Sequence, residues 1–229
     1  MTLDHPGPVI HVVAGAVIDR SGRVLIAQRP AGKTLAGRWE FPGGKLEPGE
    51  GRRQGLAREL REEIGIEIRE PRPLLRLRHR YPYGEVLLDV WVVRRYRGEP
   101  QALDGQALRW CSRSELPKAD LLPADRPIIG ALRLPERLRR VRTEFYRVGN
   151  LSELRERRDR LFGVWCRDAG DGARAAAAGA DFLVMREALP ASTLASVCEA
   201  AAMPVFARGI ALVRAWELGA SGTHALPMD

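Results

Sequence analysis

Two β-branched apolar runs open the readable part of this chain, "VIHVVAGAVID" from Val9 to Asp19 and "RVLIAQR" from Arg23 to Arg29, separated by "RSG". The pattern predicts a pair of strands joined by a glycine turn. "RWEFPGG" predicts a short strand stopped by Pro42 and two glycines. Between Arg52 and Ile64 the apolar positions Ala57, Leu60 and Ile64 form one stripe, and Gly65 stands at the stop position, which predicts a helix. "PLLRLRHRYPYGEVLLDVWVVRRYRG" predicts two strands around "YPYGE". Val86 to Val93 is apolar everywhere except Asp89, so that sheet should be covered on both faces. "LRWC" adds a short strand, and a helix is expected from about Pro127.

The stretch Arg133–Arg160 carries ten arginines against five acids and reads as a charged connector, helical near its end. After Phe162 the composition turns Ala-rich. "LFGVWC", "ADFLVM", "MPVFA" and "ASGTHAL" predict strands, alternating with helices in "GARAAAAG", "ASTLASVCEAAA" and "IALVRAWELG". Such alternation predicts parallel βαβ units. The expected organisation is therefore a domain over 1–134, a connector over 135–160 and a βα domain over 161–229.

Composition adds bounds. The chain has 229 residues, 45% hydrophobic, enough for a core. No window approaches 18 uninterrupted apolar residues, so no membrane span is expected. "MTLDHPGPVI" does not have the basic start and apolar run of a secretory signal. Cys111, Cys166 and Cys198 are odd in number and widely spaced, which predicts no disulfide framework and a reducing, cytoplasmic home. The net charge of +8 suits anionic partners. Acids interleave the arginines of 133–160, which favours a solvated connector over a nucleic-acid arm. His5, His11, His79 and His224 share no metal-ligand spacing and read as structural or solvated.

The chemistry concentrates in "GGKLEPGEGRRQGLARELREEIG", Gly43 to Gly65. On a helix Glu59, Glu62 and Glu63 fall on one face, apart from the apolar stripe. Like charges at this spacing oppose the helix unless a cation compensates, and carboxylate oxygens are what Mg²⁺ takes. Gly43 and Gly44 allow close backbone approach and leave a carbonyl free as a ligand. Lys45 and Glu50 are brought around the helix start. Lys45 is a candidate phosphate contact, and Arg58 is expected to orient the glutamates by charge-assisted hydrogen bonds.

The run Gly44, five residues, Glu50, seven residues, Arg58-Glu59-Leu60-x-Glu62-Glu63-x-Gly65-Ile66 is the full Nudix box. The chain resembles the Nudix hydrolases from about Val9 to Leu134. Through "VLIAQRP", "GRWEFPGGKLEPGE", "YRGEPQALDGQALRW" and "LLPADRPII" it is most similar to the MutT-type 8-oxo-dGTP diphosphatases. The resemblance implies an α/β fold, a Nudix α/β/α sandwich with a mixed sheet. It implies hydrolysis of a nucleoside triphosphate to the monophosphate and pyrophosphate, in nucleotide-pool sanitisation. It implies Mg²⁺, or Mn²⁺, held by Glu59, Glu62, Glu63, the Gly43 carbonyl and Asp104, with Glu59 or Glu62 positioning or deprotonating water. Arg29, Glu40 and Phe41 should border the base, and Asp125 stands where the family has an Asn that reads it. The family often has a His near Lys33 and Thr34, which this chain lacks.

The C-terminal region resembles the second half of thiamine-phosphate synthase barrels through "GADFLVM" and "MPVFARGI". With about four of eight strands it reads as a truncated barrel-like unit without synthase activity. Half a barrel leaves edges unpaired, so packing on the Nudix domain as a monomer, or pairing with a second copy, is expected. The box alone also admits ordinary (d)NTPs, thiamine-type diphosphates, RNA 5′ ends or a non-catalytic nucleotide sensor. The intact box weighs against the sensor.

Overall fold

The computed structural model describes residues 9–139, 146–156 and 160–227. The start of the chain with His5, and Arg140, Arg142, Glu144, Arg157, Arg158 and Asp159 of the basic stretch, lie outside the described residues. Two compact units result, one of residues 1–72 with 78–126, the other of 73–77 with 127–229.

The first unit contains β1 (Val9–Val17), β2 (Val24–Gln28), β3 (Trp39–Glu40), β4 (Gly43–Lys45), α1 (Arg52–Ile64), β5 (Glu67–Arg69), most of the hairpin β6 (Arg72–Tyr81) and β7 (Gly84–Val93), then β8 (Arg95–Arg97) and β9 (Leu108–Cys111). A four-stranded mixed sheet has the order β4-β1-β7-β6. β1 runs parallel to β7, with Val13 opposite Asp89, and antiparallel to β4, with Ala14 opposite Gly43. A three-stranded antiparallel sheet has the order β3-β2-β9. β5 and β8 pair alone. The expected β1–β2 pair is therefore corrected: the strands exist, but only the bridge Ile18–Val24 joins them. β1 instead pairs along its two edges with residues 43–45 and 84–93, while α1 covers one of its faces.

Helix α1 has the expected bounds. Gly65 ends it in the left-handed conformation at φ 70°, its N–H turned back to the Arg61 and Leu60 carbonyls. Its buried stripe is Leu56, Leu60 and Ile64, packed with Val13, Val17, Leu25, Trp91 and Val93. Ala57, expected in that stripe, is only half-buried, and Leu56 takes its place. Each leucine or isoleucine so buried contributes roughly 1.5–3 kcal/mol. This packing fixes the opposite face of α1, with its glutamates, relative to β4. Asp89, the one acid of the apolar run, is buried and meets His11 Nε2 at 2.5 Å and Arg52 at 3.0 Å. A buried carboxylate without such partners would be strongly destabilising.

The second unit follows from α2 (Arg126–Arg133), which starts at the boundary, through β10 (Arg137–Leu138), β11 (Tyr146–Gly149), β12 (Leu161–Cys166), α3 (Ala169–Ala177), β13 (Phe182–Met185), α4 (Ala191–Ala201), β14 (Val205–Arg208), α5 (Leu212–Glu217) and β15 (Gly222–His224). Its sheet is a curled parallel half-barrel of order β10-β15-β14-β13-β12-β11. Six strands are present where about four were expected. The additional two, β10 and β11, come from the arginine-rich stretch, whose charged residues conceal the short apolar pairs that join the sheet. One face carries α3, α4 and α5 over Phe162, Val164, Leu183 and Met185. The other is filled by Tyr146, Phe182 and Phe206, packed edge to face. Cys111, Cys166 and Cys198 are buried and free. No helix among the described residues is long and apolar enough to cross a membrane.

Candidate active site

The site is built where α1 passes β4. Gly43 adopts φ 151°, and a Cβ there would stand 2.1 Å from the Val13 carbonyl oxygen. Only glycine lets β4 lie this close to β1. A Cβ on Gly44 would stand 2.2 Å from the Glu59 carboxylate. The missing side chain is thus the space that Glu59 occupies.

Arg58 organises the acids. Its Nε and NH2 donate to the two oxygens of Glu50, each at 2.9 Å. NH1 donates to Glu59 at 2.9 Å and Glu62 at 3.2 Å, and NH2 to the Lys45 carbonyl at 3.0 Å. Three carboxylates and one strand are therefore tied to one guanidinium. The pairing raises the Arg58 pKa further, chiefly through Glu50, and lowers that of Glu50. Glu50 was placed near the helix start by sequence reasoning but given no role. Its signal was the fixed spacing to Arg58.

Glu63 points to the other side and accepts the Gly43 N–H at 2.7 Å. Burial pushes its pKa up to about 7, opposed by that N–H and reinforced by the charges of Glu40 and Asp104. An acid raised this way by burial and neighbouring acids marks a place prepared for positive charge.

Glu59, Glu62, Glu63, Gly43, Gly44, Lys45 and Asp104 line one cleft of about 800 Å³, together with Arg29, Glu40, Phe41 and Asp125. Every predicted site residue except Arg58 lines it, and Arg58 holds two that do. Lys33 and Thr34 line it as well. Among the described residues no three His, Cys, Asp or Glu side chains are already drawn into a cage. Arg58 holds Glu59 and Glu62, while Glu63 is turned to Gly43. The donor set is nonetheless all oxygen, four carboxylates and a carbonyl strand, and it fits a hard divalent cation that keeps waters and takes phosphate oxygens.

Arg29, Glu40 and Asp125 add a second set of polar groups to the same cleft. Arg29 pairs with Glu40 at 2.5 Å and donates from Nε to the Thr34 carbonyl at 2.7 Å. Burial raises the Glu40 pKa against the pull of Arg29. Asp125 is 4% exposed, and its Oδ2 accepts the Phe41 N–H at 3.1 Å. Burial, helped by Glu40, pushes its carboxyl up to about 8. Two rings that sequence reasoning treated only as turn flanks complete this wall, Tyr81 and Tyr83. Tyr83 lies in the turn between the strands, so strand alternation does not place it.

The three histidines among the described residues are structural. His11 pairs with Asp89, His79 packs on the edge of Tyr81, and His224 lies buried between the Met185 carbonyl and the Leu226 N–H. A smaller hollow in the second unit is lined by Arg167, Arg174 and Arg186, but the first two pair with Asp171 and the third donates to Asn150. These guanidinium groups are already engaged within the hollow.

A family model described as the NUDIX domain matches residues 9–132. The CTP pyrophosphohydrolase of Escherichia coli is 46% identical over 123 residues, 54% of this chain and 90% of that protein. The 8-oxo-dGTP diphosphatase of the same organism is 34% identical over 124 residues, 54% of this chain and 96% of that protein. The solution structure of the E. coli ORF135 protein aligns with TM-score 0.50 and 42% identity, over 57% of this chain and 92% of that one.

Proposed function

This chain belongs to the NUDIX family and is a hydrolase of phosphoric anhydrides, and we propose that it is a Mg²⁺-dependent pyrophosphohydrolase of nucleoside triphosphates, with 8-oxo-dGTP as a substrate. The observation that carries the reading is one cleft of about 800 Å³ lined together by three box glutamates and Asp104 and by Arg29, Glu40, Phe41 and Asp125. That volume suits a phosphate chain together with a base.

Glu59, Glu62, Glu63, Asp104 and the Gly43 carbonyl would hold the cation, which when bound neutralises phosphate oxygens and acidifies water. Arg58 fixes Glu59 and Glu62 in direction by hydrogen bonds from one guanidinium nitrogen. One of the two accepts a proton from the attacking water as the water oxygen bonds to phosphorus and pyrophosphate leaves with the electrons of the broken P–O bond. Glu59 is the better candidate, since its side chain is 19% exposed and Glu62's is 55%. Lys45 lines the same cleft and would contact phosphate.

Asp125 favours a second substrate. With Oδ2 bonded to Phe41, its Oδ1 is the group left for a base. Protonated, it both donates and accepts; ionised, it accepts only. The oxidised purine offers a neighbouring N–H and carbonyl, and cytosine offers an amino donor beside a ring-nitrogen acceptor. Both bases suit it, and the similarity to a CTP pyrophosphohydrolase supports including cytidine triphosphates. For residues 161–229 the strand–helix alternation supports a barrel-derived unit with a structural role, to whose sheet β10 and β11 of the arginine-rich stretch add. Phosphorus NMR of the reaction tests the chemistry: pyrophosphate and a nucleoside monophosphate are expected, and release of inorganic phosphate alone would refute it.

A further inference from the structure

Tyr83 sits at the turn between β6 and β7 with 54% of its surface exposed, the one aromatic among the large apolar side chains that stand out from the described surface. An exposed ring at a turn is ordinarily free to move. This one is backed: its plane lies 8° from that of Tyr81, with centroids 5.0 Å apart. Tyr81 is itself buried and meets the His79 ring edge to face at 4.5 Å. Tyr83 is thus half-exposed yet stacked on a ring that is itself held by a third. Tyr83 lines the same cleft as the box glutamates, close enough to Arg29 and Glu40 for both charges to act on its hydroxyl.

We infer that Tyr83 is the platform on which the substrate's nucleobase stacks, using the ring face turned away from Tyr81. The inference rests on the nucleotide-hydrolase reading and adds a division of labour to it. Every base has a π face, so stacking gives affinity with little choice among bases. Choice must come from the base edge, where Asp125, Arg29 and Glu40 stand. Tyr83 sets how tightly a nucleotide is held, and Asp125 sets which one.

The test uses the full chain with Tyr83→Ala and Tyr83→Phe. The readouts are KM and kcat for 8-oxo-dGTP and CTP, the inhibition constant of inorganic tripolyphosphate, and equilibrium binding of 8-oxo-dGMP. Tyr83→Ala should raise KM for both nucleotides and weaken 8-oxo-dGMP binding by about tenfold or more, the range of one base–aromatic stack. Tyr83→Phe should restore both, and the tripolyphosphate constant should not move, because that ligand has no base. Unchanged KM in Tyr83→Ala, or a parallel loss with tripolyphosphate, would overturn the inference. Should the wild type turn over neither nucleotide, the hydrolase reading fails, and 8-oxo-dGMP binding still decides for or against Tyr83.

Discussion

The Phe41 N–H donates to Asp125 Oδ2 across 3.1 Å, which ties the strand end before the glycine pair to the turn that precedes α2. The bond fixes one carboxyl oxygen and leaves the other for the cleft. It also sets an acid in a buried place beside Glu40, with its pKa near 8.

A pH dependence of stability follows. The ordinary value for this acid is 3.8 and the folded value about 8, so between these the folded chain holds a proton that the unfolded chain releases. Stability therefore falls as pH rises from about 4 to 8 and levels off above. Asp125→Asn carries no titrating proton at this position. Its Tm should decline less than that of the wild type over pH 5 to 8, and parallel curves would refute the account.

Cation binding should show the opposite trend. Glu63 is protonated in the folded chain below about 7, and a cation must displace that proton. The rise in Tm on adding Mg²⁺ is expected to be larger at pH 8 than at pH 6. Equal shifts at both, or none in the wild type, would remove Glu63 from the cation site.

Glu50 does not line the cleft, yet it holds two nitrogens of Arg58. Glu50→Gln should lower kcat/KM by about 10–100-fold, the usual cost of losing a partner that orients ligands, with Arg58→Ala at least as severe. Normal turnover in Glu50→Gln would mean that Arg58 needs no such anchor.

The two glycines should fail differently. At Gly44 a methyl would meet only the end of Glu59, which can swing away, so Gly44→Ala should fold with normal Tm and lose activity. At Gly43 the methyl would meet the Val13 backbone, and the residue needs positive φ. Gly43→Ala should lose about 1–3 kcal/mol of stability or more. Comparison of Tm and turnover for the pair checks both.

Much of this was legible in the residues. Helix α1 could be bounded because its stripe, its glycine stop and its acids repeat at helical spacing. The cation end was legible because those acids share one helix. Pairing was harder: β1 and β2 are neighbours in sequence and read as partners, but β1's apolar run is satisfied by β7, nearly 70 residues on. β10 and β11 were hidden because a parallel sheet needs only two to four residues of each, here set among arginines. That Tyr81 and Tyr83 line the cleft, and that Asp125 is anchored by Phe41, 84 residues away, depends on how segments meet in the fold, which no local pattern records.

The most direct test of the account is kcat/KM for 8-oxo-dGTP, CTP and dGTP with Mg²⁺, in the wild type and in Glu63→Gln. The account predicts release of pyrophosphate from 8-oxo-dGTP and CTP, a clear preference for both over dGTP, and loss of that turnover in Glu63→Gln. Hydrolysis of dGTP as fast as the other two, or full activity in Glu63→Gln, would contradict it.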